Sequence, residues 1–248
     1  MLEIKNLAAG YGGETVIRGL SLCFEPGRIY GVVGKNGCGK TTLLKACAGL
    51  IEPSEGNICL DGKELSAYAP SERACRISYL SQLHGAPGIT VERMVMHGRY
   101  PRLGYPKKPG PKDREMVESA LEKMQLCQLR HKRLSELSGG ECQRAYLAMQ
   151  LAQDSDHLLL DEPTSYMDIE YQLLLMNILG ELRDAGKTVI MVLHDLAQAL
   201  KYSDCIVAMD NGRIAHCGTP ETALESKILD EIFHIRIIPC GENYVFEK

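Results

Sequence analysis

The stretch Ile29-Tyr30-Gly31-Val32-Val33-Gly34-Lys35-Asn36-Gly37-Cys38-Gly39-Lys40-Thr41-Thr42 decides how the rest of the chain is read. Its first residues, Ile29–Val33, form a short apolar run suited to a buried strand. An apolar helical pattern, Lys40–Leu50, follows the glycines. The turn between them fits G-x-x-x-x-G-K-[ST], and a strand before it and a helix after it are the context that pattern needs. Gly34, Gly37 and Gly39 let backbone N–H groups turn inward around phosphate oxygens. Asn36 and Cys38 complete the loop, and the helix N-terminus adds a favourable dipole. In such a loop Lys40 reaches the β- and γ-phosphates, Thr41 holds Mg²⁺ and Thr42 bonds the α-phosphate. The expected ligands are ATP and Mg²⁺.

Outward from this loop, further short apolar runs stand before turn residues at Leu158–Leu160, Val189–Leu193 and Ile206–Met209, and helical patterns follow at Tyr171–Ala185 and Leu196–Tyr202. Short apolar strands separated by helices predict a largely parallel sheet covered on both faces. Leu2–Leu7 and Thr15–Phe24 alternate around Gly10-Tyr11-Gly12-Gly13, predicting an antiparallel hairpin; Asn57–Leu60 and Ile77–Leu80 add strands. From about 84 to 140 the strand signal disappears. Tyr100–Pro111 is rich in proline and predicts an exposed loop, and Asp113–Met124 is an amphipathic helix. The expected fold is α/β, a P-loop NTPase (RecA-like) core with an antiparallel β subdomain and a helical insertion at about 84–140. All of it falls in one domain, 1–248.

Composition narrows the function classes. The 248 residues are 45% hydrophobic and 24% charged, with a net charge of −4. This excludes disordered and collagen-like chains, and the lack of basic excess argues against a nucleic-acid partner. No run approaches the roughly 18–20 apolar residues of a membrane-spanning helix. The start Met1-Leu2-Glu3-Ile4-Lys5 shows no secretory signal. Any action at a membrane is therefore expected through a partner. The ten cysteines include no C-x-x-C spacing and are expected to be buried or half-buried free thiols in a reducing compartment. Cys38 reads as a small residue tolerated at a variable position of the loop; the second reading is that the helix N-terminus lowers its pKa, so that a thiol reagent could block ATP binding.

Leu158-Leu159-Leu160-Asp161-Glu162 is an apolar strand ending in two acids, at the sheet edge where α/β ligands bind. There Asp161 would bind Mg²⁺ through water, and Glu162 would orient or deprotonate the attacking water. Leu137-Ser138-Gly139-Gly140-Glu141, followed by Gln143-Arg144 and an apolar helix, is a second helix terminus suited to phosphate. One subunit seldom needs two γ-phosphate cradles. The physical reading is a head-to-tail homodimer, each ATP closed between the loop around Lys40 of one copy and Ser138–Gly140 of the other.

With these motifs the chain closely resembles the ATP-binding cassette family over nearly its whole length. The resemblance implies further roles. Tyr11 matches the aromatic that stacks on adenine, and Gln82 matches the glutamine that touches Mg²⁺ and senses the transmembrane partner. His194 matches the switch histidine that contacts the γ-phosphate and positions Glu162. Asp168 matches the aspartate of the loop that crosses the dimer interface, although the usual Ser-x-Leu-Asp reads Ser165-Tyr166-Met167-Asp168 here. Gly98-Arg99-Tyr100-Pro101, Leu151-Ala152-Gln153 and Asp168-Ile169-Glu170-Tyr171-Gln172 resemble the ATPases of bacterial importers for iron–siderophore, haem and cobalamin. In that group His often stands where this chain has Tyr171. The implied protein is an importer ATPase peripheral to the cytoplasmic face of the inner or plasma membrane. It would be held there by integral-membrane permease subunits and served indirectly by a substrate-binding protein. The permease is expected to dock on Gln82 to about Pro106, with Arg99, Tyr100, Arg102 and Tyr105 exposed. The alternatives are a soluble cassette ATPase for cofactor or iron–sulphur assembly, or an importer ATPase for an unrelated cargo. DNA-repair cassettes need a long coiled coil between the two phosphate-binding motifs, and this interval holds no heptad run.

Overall fold

The computed structural model describes residues 1–82, 85–241 and 243–248. In chain order the first part runs β1 (Leu2–Tyr11), β2 (Glu14–Phe24), β3 (Ile29–Val33), α1 (Lys40–Cys47), β4 (Glu55–Leu60), β5 (Lys63–Glu64), α2 (Pro70–Arg76) and β6 (Ile77–Leu80). Three helices follow, α3 (Val91–His97), α4 (Pro111–Lys123) and α5 (Gly139–Gln153). The chain then returns through β7 (His157–Asp161), α6 (Ile169–Asp184), β8 (Thr188–Val192), α7 (Leu196–Tyr202), β9 (Cys205–Asp210) and β10 (Arg213–Gly218), and ends in α8 (Pro220–Glu225), α9 (Ile228–Phe233), β11 (Arg236–Cys240) and β12 (Asn243–Glu247).

The central sheet has the order β10-β9-β3-β8-β7-β6, and every pair except β10 with β9 is parallel. Each residue of β3, β7 and β8 is buried, as uninterrupted apolar runs require when both faces are covered. Alternation assigns the faces. Val189 and Met191 of β8 point into the core shared with the three-helix segment, while Ile190 and Val192 point into the core shared with α1 and the hairpin strands. Burying a side chain of this kind contributes about 1.5–3 kcal/mol, so both layers are held firmly to one sheet. The second sheet, β2-β1-β4-β5, is antiparallel throughout and covers α1. Because β3, β7 and β8 run parallel, the segments leaving their carboxyl ends gather at one edge.

The helical segment packs α3 and α4 against α5, with Val95, Leu121 and Ala148 in one cluster. Helix α4 begins at Pro111, and the Asp113 carboxylate accepts from the Gly110 N–H at 2.9 Å. The expected exposed loop is only partly one. Tyr105 is fully exposed, but Arg99 is 4% exposed. The Arg99 guanidinium donates to Asp113 at 3.0 Å and to the Ala152 carbonyl at 2.7 Å. Arg102 donates to the carbonyls of Cys75, Gln153 and Asp154. Arg99 clamps the segment to the core rather than facing a partner, because a buried guanidinium must find acceptors for its five donors, whereas Arg102 is exposed as expected. Among the described residues no helix is long and apolar enough to cross a membrane.

Candidate nucleotide-binding site

At the carboxyl edge of the sheet, the loop from Gly34 to Gly39 opens α1 as its pattern predicts. Gly39 is the N-cap, in a left-handed conformation at φ 104° that a side chain would strain. The Lys40 ammonium is buried and donates to the carbonyls of Gly34 at 2.7 Å and Lys35 at 2.9 Å. An open cleft of about 440 Å³ lies before it. Asn36, Gly37, Gly39, Lys40, Thr41 and Thr42 of the loop and α1 line it together with Gln82, Glu162 and His194, and with Val16 of the hairpin.

Glu162 follows β7 directly and takes a left-handed backbone conformation, φ 53°. Such conformations in a non-glycine residue persist only where the surroundings enforce them, and they concentrate at functional sites. Its N–H donates to Val192 of the neighbouring strand. One carboxylate oxygen lies 2.5 Å from His194 Nε2 and the other accepts from Ser165 Oγ at 3.4 Å. The Ser165 contact has no local sequence signal; it arises only because the chain turns back after Glu162.

Asp161 is wholly buried behind this pair. Burial pushes its carboxyl above the ordinary value, and the Thr41 hydroxyl beside it offsets part of that rise. Tyr79 donates its hydroxyl to Asp161 Oδ2 at 3.5 Å, while Oδ1 has no protein partner. Tyr79, which sequence reasoning missed, is kept protonated by its own burial and by the Asp161 charge.

Other expected residues lie apart. Tyr11 is exposed at the end of β1, its ring 5.6 Å from Lys45 Nζ of α1 and outside the cleft wall. Cys38 is 6% exposed and burial pushes its thiol up, opposite to the lowered pKa of the second reading and in keeping with a small residue tolerated in the loop. Ser138 caps α5, its Oγ accepting from the Glu141 N–H while the Glu141 carboxylate accepts from the Ser138 N–H. Ser138 and Gly139 line a second cleft with Tyr166, which shares only Gln82 with the first. Asp168 precedes α6 with its side chain exposed and uninvolved in capping.

This arrangement can bind a nucleoside phosphate and activate a water against it. Residues 17–165 match the family model described as ABC transporter. The chain belongs to the ABC transporter family. It is an ABC-type ATPase, and the family implies nucleotide binding. The petrobactin import ATP-binding protein FpuD of Bacillus anthracis is 39% identical over 236 residues, covering 94% of this chain and 86% of the relative. The ferric enterobactin transport ATP-binding protein FepC of Escherichia coli (strain K12) is 38% identical over 237 residues, 95% of this chain and 88% of the relative. A metal-chelate type ABC transporter in an inward-facing conformation superposes with a TM-score of 0.81 at 26% identity, over 99% of this chain and 95% of that one. A dimeric ATP-binding cassette bound to ADP and Pi superposes at 0.80 with 23% identity, over 89% and 99% of the two chains, a likeness of fold. The expected mixed α/β architecture and ATP-binding-cassette resemblance are thus both found.

Proposed function

We propose that this ATPase is the energy-coupling subunit of an importer for a metal chelate such as an iron–siderophore complex, acting as a homodimer on separate permease subunits. Residues 1–248 then form one ATPase domain with 84–140 as its helical subdomain, peripheral to the cytoplasmic membrane face and served indirectly by a substrate-binding protein. The observation that carries the reading is the convergence of Lys40, Glu162 and His194 on one open cleft, alongside importer ATPases as relatives. The docking surface keeps Gln82, Tyr100, Arg102 and Tyr105, while buried Arg99 leaves it; Leu83 and His84 lie outside the described residues.

In this mechanism Lys40 exchanges its two carbonyl partners for β- and γ-phosphate oxygens, a charge-assisted contact stronger than the one it leaves. Glu162 accepts the proton of the attacking water or orients it, and His194 fixes the Glu162 carboxylate in its rotamer. Residues present fit a hard cation. The unpartnered Asp161 Oδ1 and the hydroxyl of Thr41 are oxygen donors at one point, with Gln82 lining the same cleft. Thr41, Gln82 and, through water, Asp161 would hold Mg²⁺, which when bound neutralises charge on the phosphate oxygens. Tyr11 supplies an adenine platform. Ser138, Gly139 and Gly140 of the second copy close over the γ-phosphate, and Asp168 meets the partner across the interface.

The test is Glu162→Gln. It should abolish turnover, a loss of at least about 100-fold from removing a positioned base, and trap an ATP-bound dimer on gel filtration. A mutant that binds ATP yet stays strictly monomeric would overturn the dimer.

A further inference from the structure

Seven of the ten cysteines are buried or half-buried; Cys23, Cys217 and Cys240 are exposed. One pair stands out: Cys205 Sγ and Cys217 Sγ lie 3.7 Å apart. Cys205 opens β9 and is 6% exposed, while Cys217 sits near the end of β10 and faces solvent. In the ladder Cys217 opposes Val207, which puts Cys205, two residues back, on the same face as its diagonal neighbour. We propose that Cys205 and Cys217 are a peroxide-responsive pair that closes into an intramolecular disulfide and staples β10 to β9.

Three features of the fold favour closure. Strand β10 is the edge of the central sheet and, among the described residues, pairs with β9 alone, so it can shift without breaking a second ladder. The register is already irregular between Ile214 and His216, which gives the strand local freedom close to the pair. The sulfurs must approach from 3.7 Å to about 2.05 Å, a movement within the reach of two χ1 rotations and a small edge displacement. The two thiols are also unequal. The hydrogen bond between them holds Cys217 down, at about 7, and raises Cys205, which burial raises further. The exposed sulfur is thus the one richer in thiolate.

The chemistry balances with a hydroperoxide as the oxidant. The Cys217 thiolate attacks one peroxide oxygen, the O–O bond breaks, hydroxide leaves, and Cys217 becomes a sulfenic acid while the peroxide gains two electrons. Cys205 Sγ then attacks Cys217 Sγ. The S–S bond forms, the S–O bond breaks, and the departing hydroxyl and the Cys205 proton leave as water. In total, two thiols and one hydrogen peroxide give one disulfide and two waters. The site is remote from the nucleotide: Cys205 pairs with Tyr30 at the start of β3, and the phosphate loop leaves the other end of that strand. The expected effect is on rigidity, because the staple constrains the unfolded chain and fixes the edge strand that leads into α8 and α9.

The experiment treats the reduced full-length protein with a small excess of hydrogen peroxide, blocks remaining thiols with N-ethylmaleimide, and maps peptides without reductant. A Cys205–Cys217 linked peptide is expected, with alkylatable thiols falling from the ten of the sequence by two, and with a rise in Tm of several degrees. Dithiothreitol should reverse both. Cys205→Ser should leave a dimedone-trappable sulfenic acid on Cys217, and Cys217→Ser should leave Cys205 alkylatable after unfolding. Oxidation of wild-type Cys217 to the sulfinic acid with Cys205 still fully alkylatable would overturn the pairing. A linked peptide with unchanged Tm would overturn the stapling.

Discussion

His157 opens β7 with its ring buried and its Nδ1 without a hydrogen-bond partner. Burial, with the nearby N-terminal charge, pushes it from 6.5 down to about 4. The unfolded chain therefore binds more protons between those values, and stability rises with pH across that window. As pH falls from about 6.5 to about 4, the protein should lose up to about 3 kcal/mol through this residue. Urea titrations across that window would measure it, and His157→Gln should flatten the dependence. Arg99 is the opposite case, a buried charge that is satisfied. Arg99→Ala leaves Asp113 Oδ1 and the Ala152 carbonyl without the guanidinium and should cost about 2–3 kcal/mol, below a fully buried pair because Asp113 keeps its Gly110 N–H bond and some solvent access. Differential scanning calorimetry would read it. Asp113 lies below its ordinary 3.8, chiefly through the Gly110 N–H bond. That contribution is present above about pH 4 and lost as pH falls through the lowered folded value.

At the scale of elements, the short strings read from the sequence as resembling importer ATPases turn out to be attachments. Gly98 lets α3 approach α5 so closely that a Cβ there would collide with the Met149 carbonyl. Arg99 reaches Ala152, and Gln153 Nε2 donates to Ala74 and Ile77. Gln172 donates to Thr164 and Met167, and Tyr171 presents its ring to the Arg144 guanidinium, 3.8 Å from its centroid. These residues set how the helical segment and the Glu162–Asp168 loop are held, and so carry no cargo information. The cap of α5 belongs to the same scale. Ser138→Ala removes one half of the capping box and should lower stability by about 1 kcal/mol. If Ser138 also touches the γ-phosphate of a second copy, ATP-induced dimerisation should fall by more than that; sedimentation with and without ATP separates the two effects. Ser138→Asn, which keeps a capping oxygen, should restore stability without restoring the dimer.

Over the whole molecule, nucleotide binding and stability are linked. A ligand that binds only the folded state adds about 2.7 kcal/mol at a concentration 100 times its Kd. ATP with Mg²⁺ should raise Tm accordingly, and Lys40→Ala should remove most of that shift, since the ammonium is poised in the loop by two carbonyls it can release. An unchanged shift in Lys40→Ala would place the nucleotide elsewhere. The cleft opens from the sheet that both cores cover, so a single cooperative transition should move rather than split.

The strand–loop–helix around Lys40, the acidic end of β7 and the capped turn at Ser138 were legible in the sequence, because each motif spans a few residues whose backbone conformation is locally dictated. The parallel sheet was legible for a similar reason, since fully apolar runs of five can be satisfied only between two covering layers. What the sequence alone left open is which distant residues meet. Arg99 reads as a surface charge until its partners, 14 and 53 residues away, close around it. Cys38 reads as a thiol at a helix terminus until the fold buries it, where desolvation outweighs the nearby Lys40 charge. Tyr79 comes to Asp161 across 82 residues, Ser165 turns back onto Glu162, and Cys205 lies against Cys217 only through the β9–β10 pairing. Local patterning determined the elements and pointed to the phosphate chemistry. Burial and strand order, which depend on the whole chain at once, decided which charges and thiols are paired.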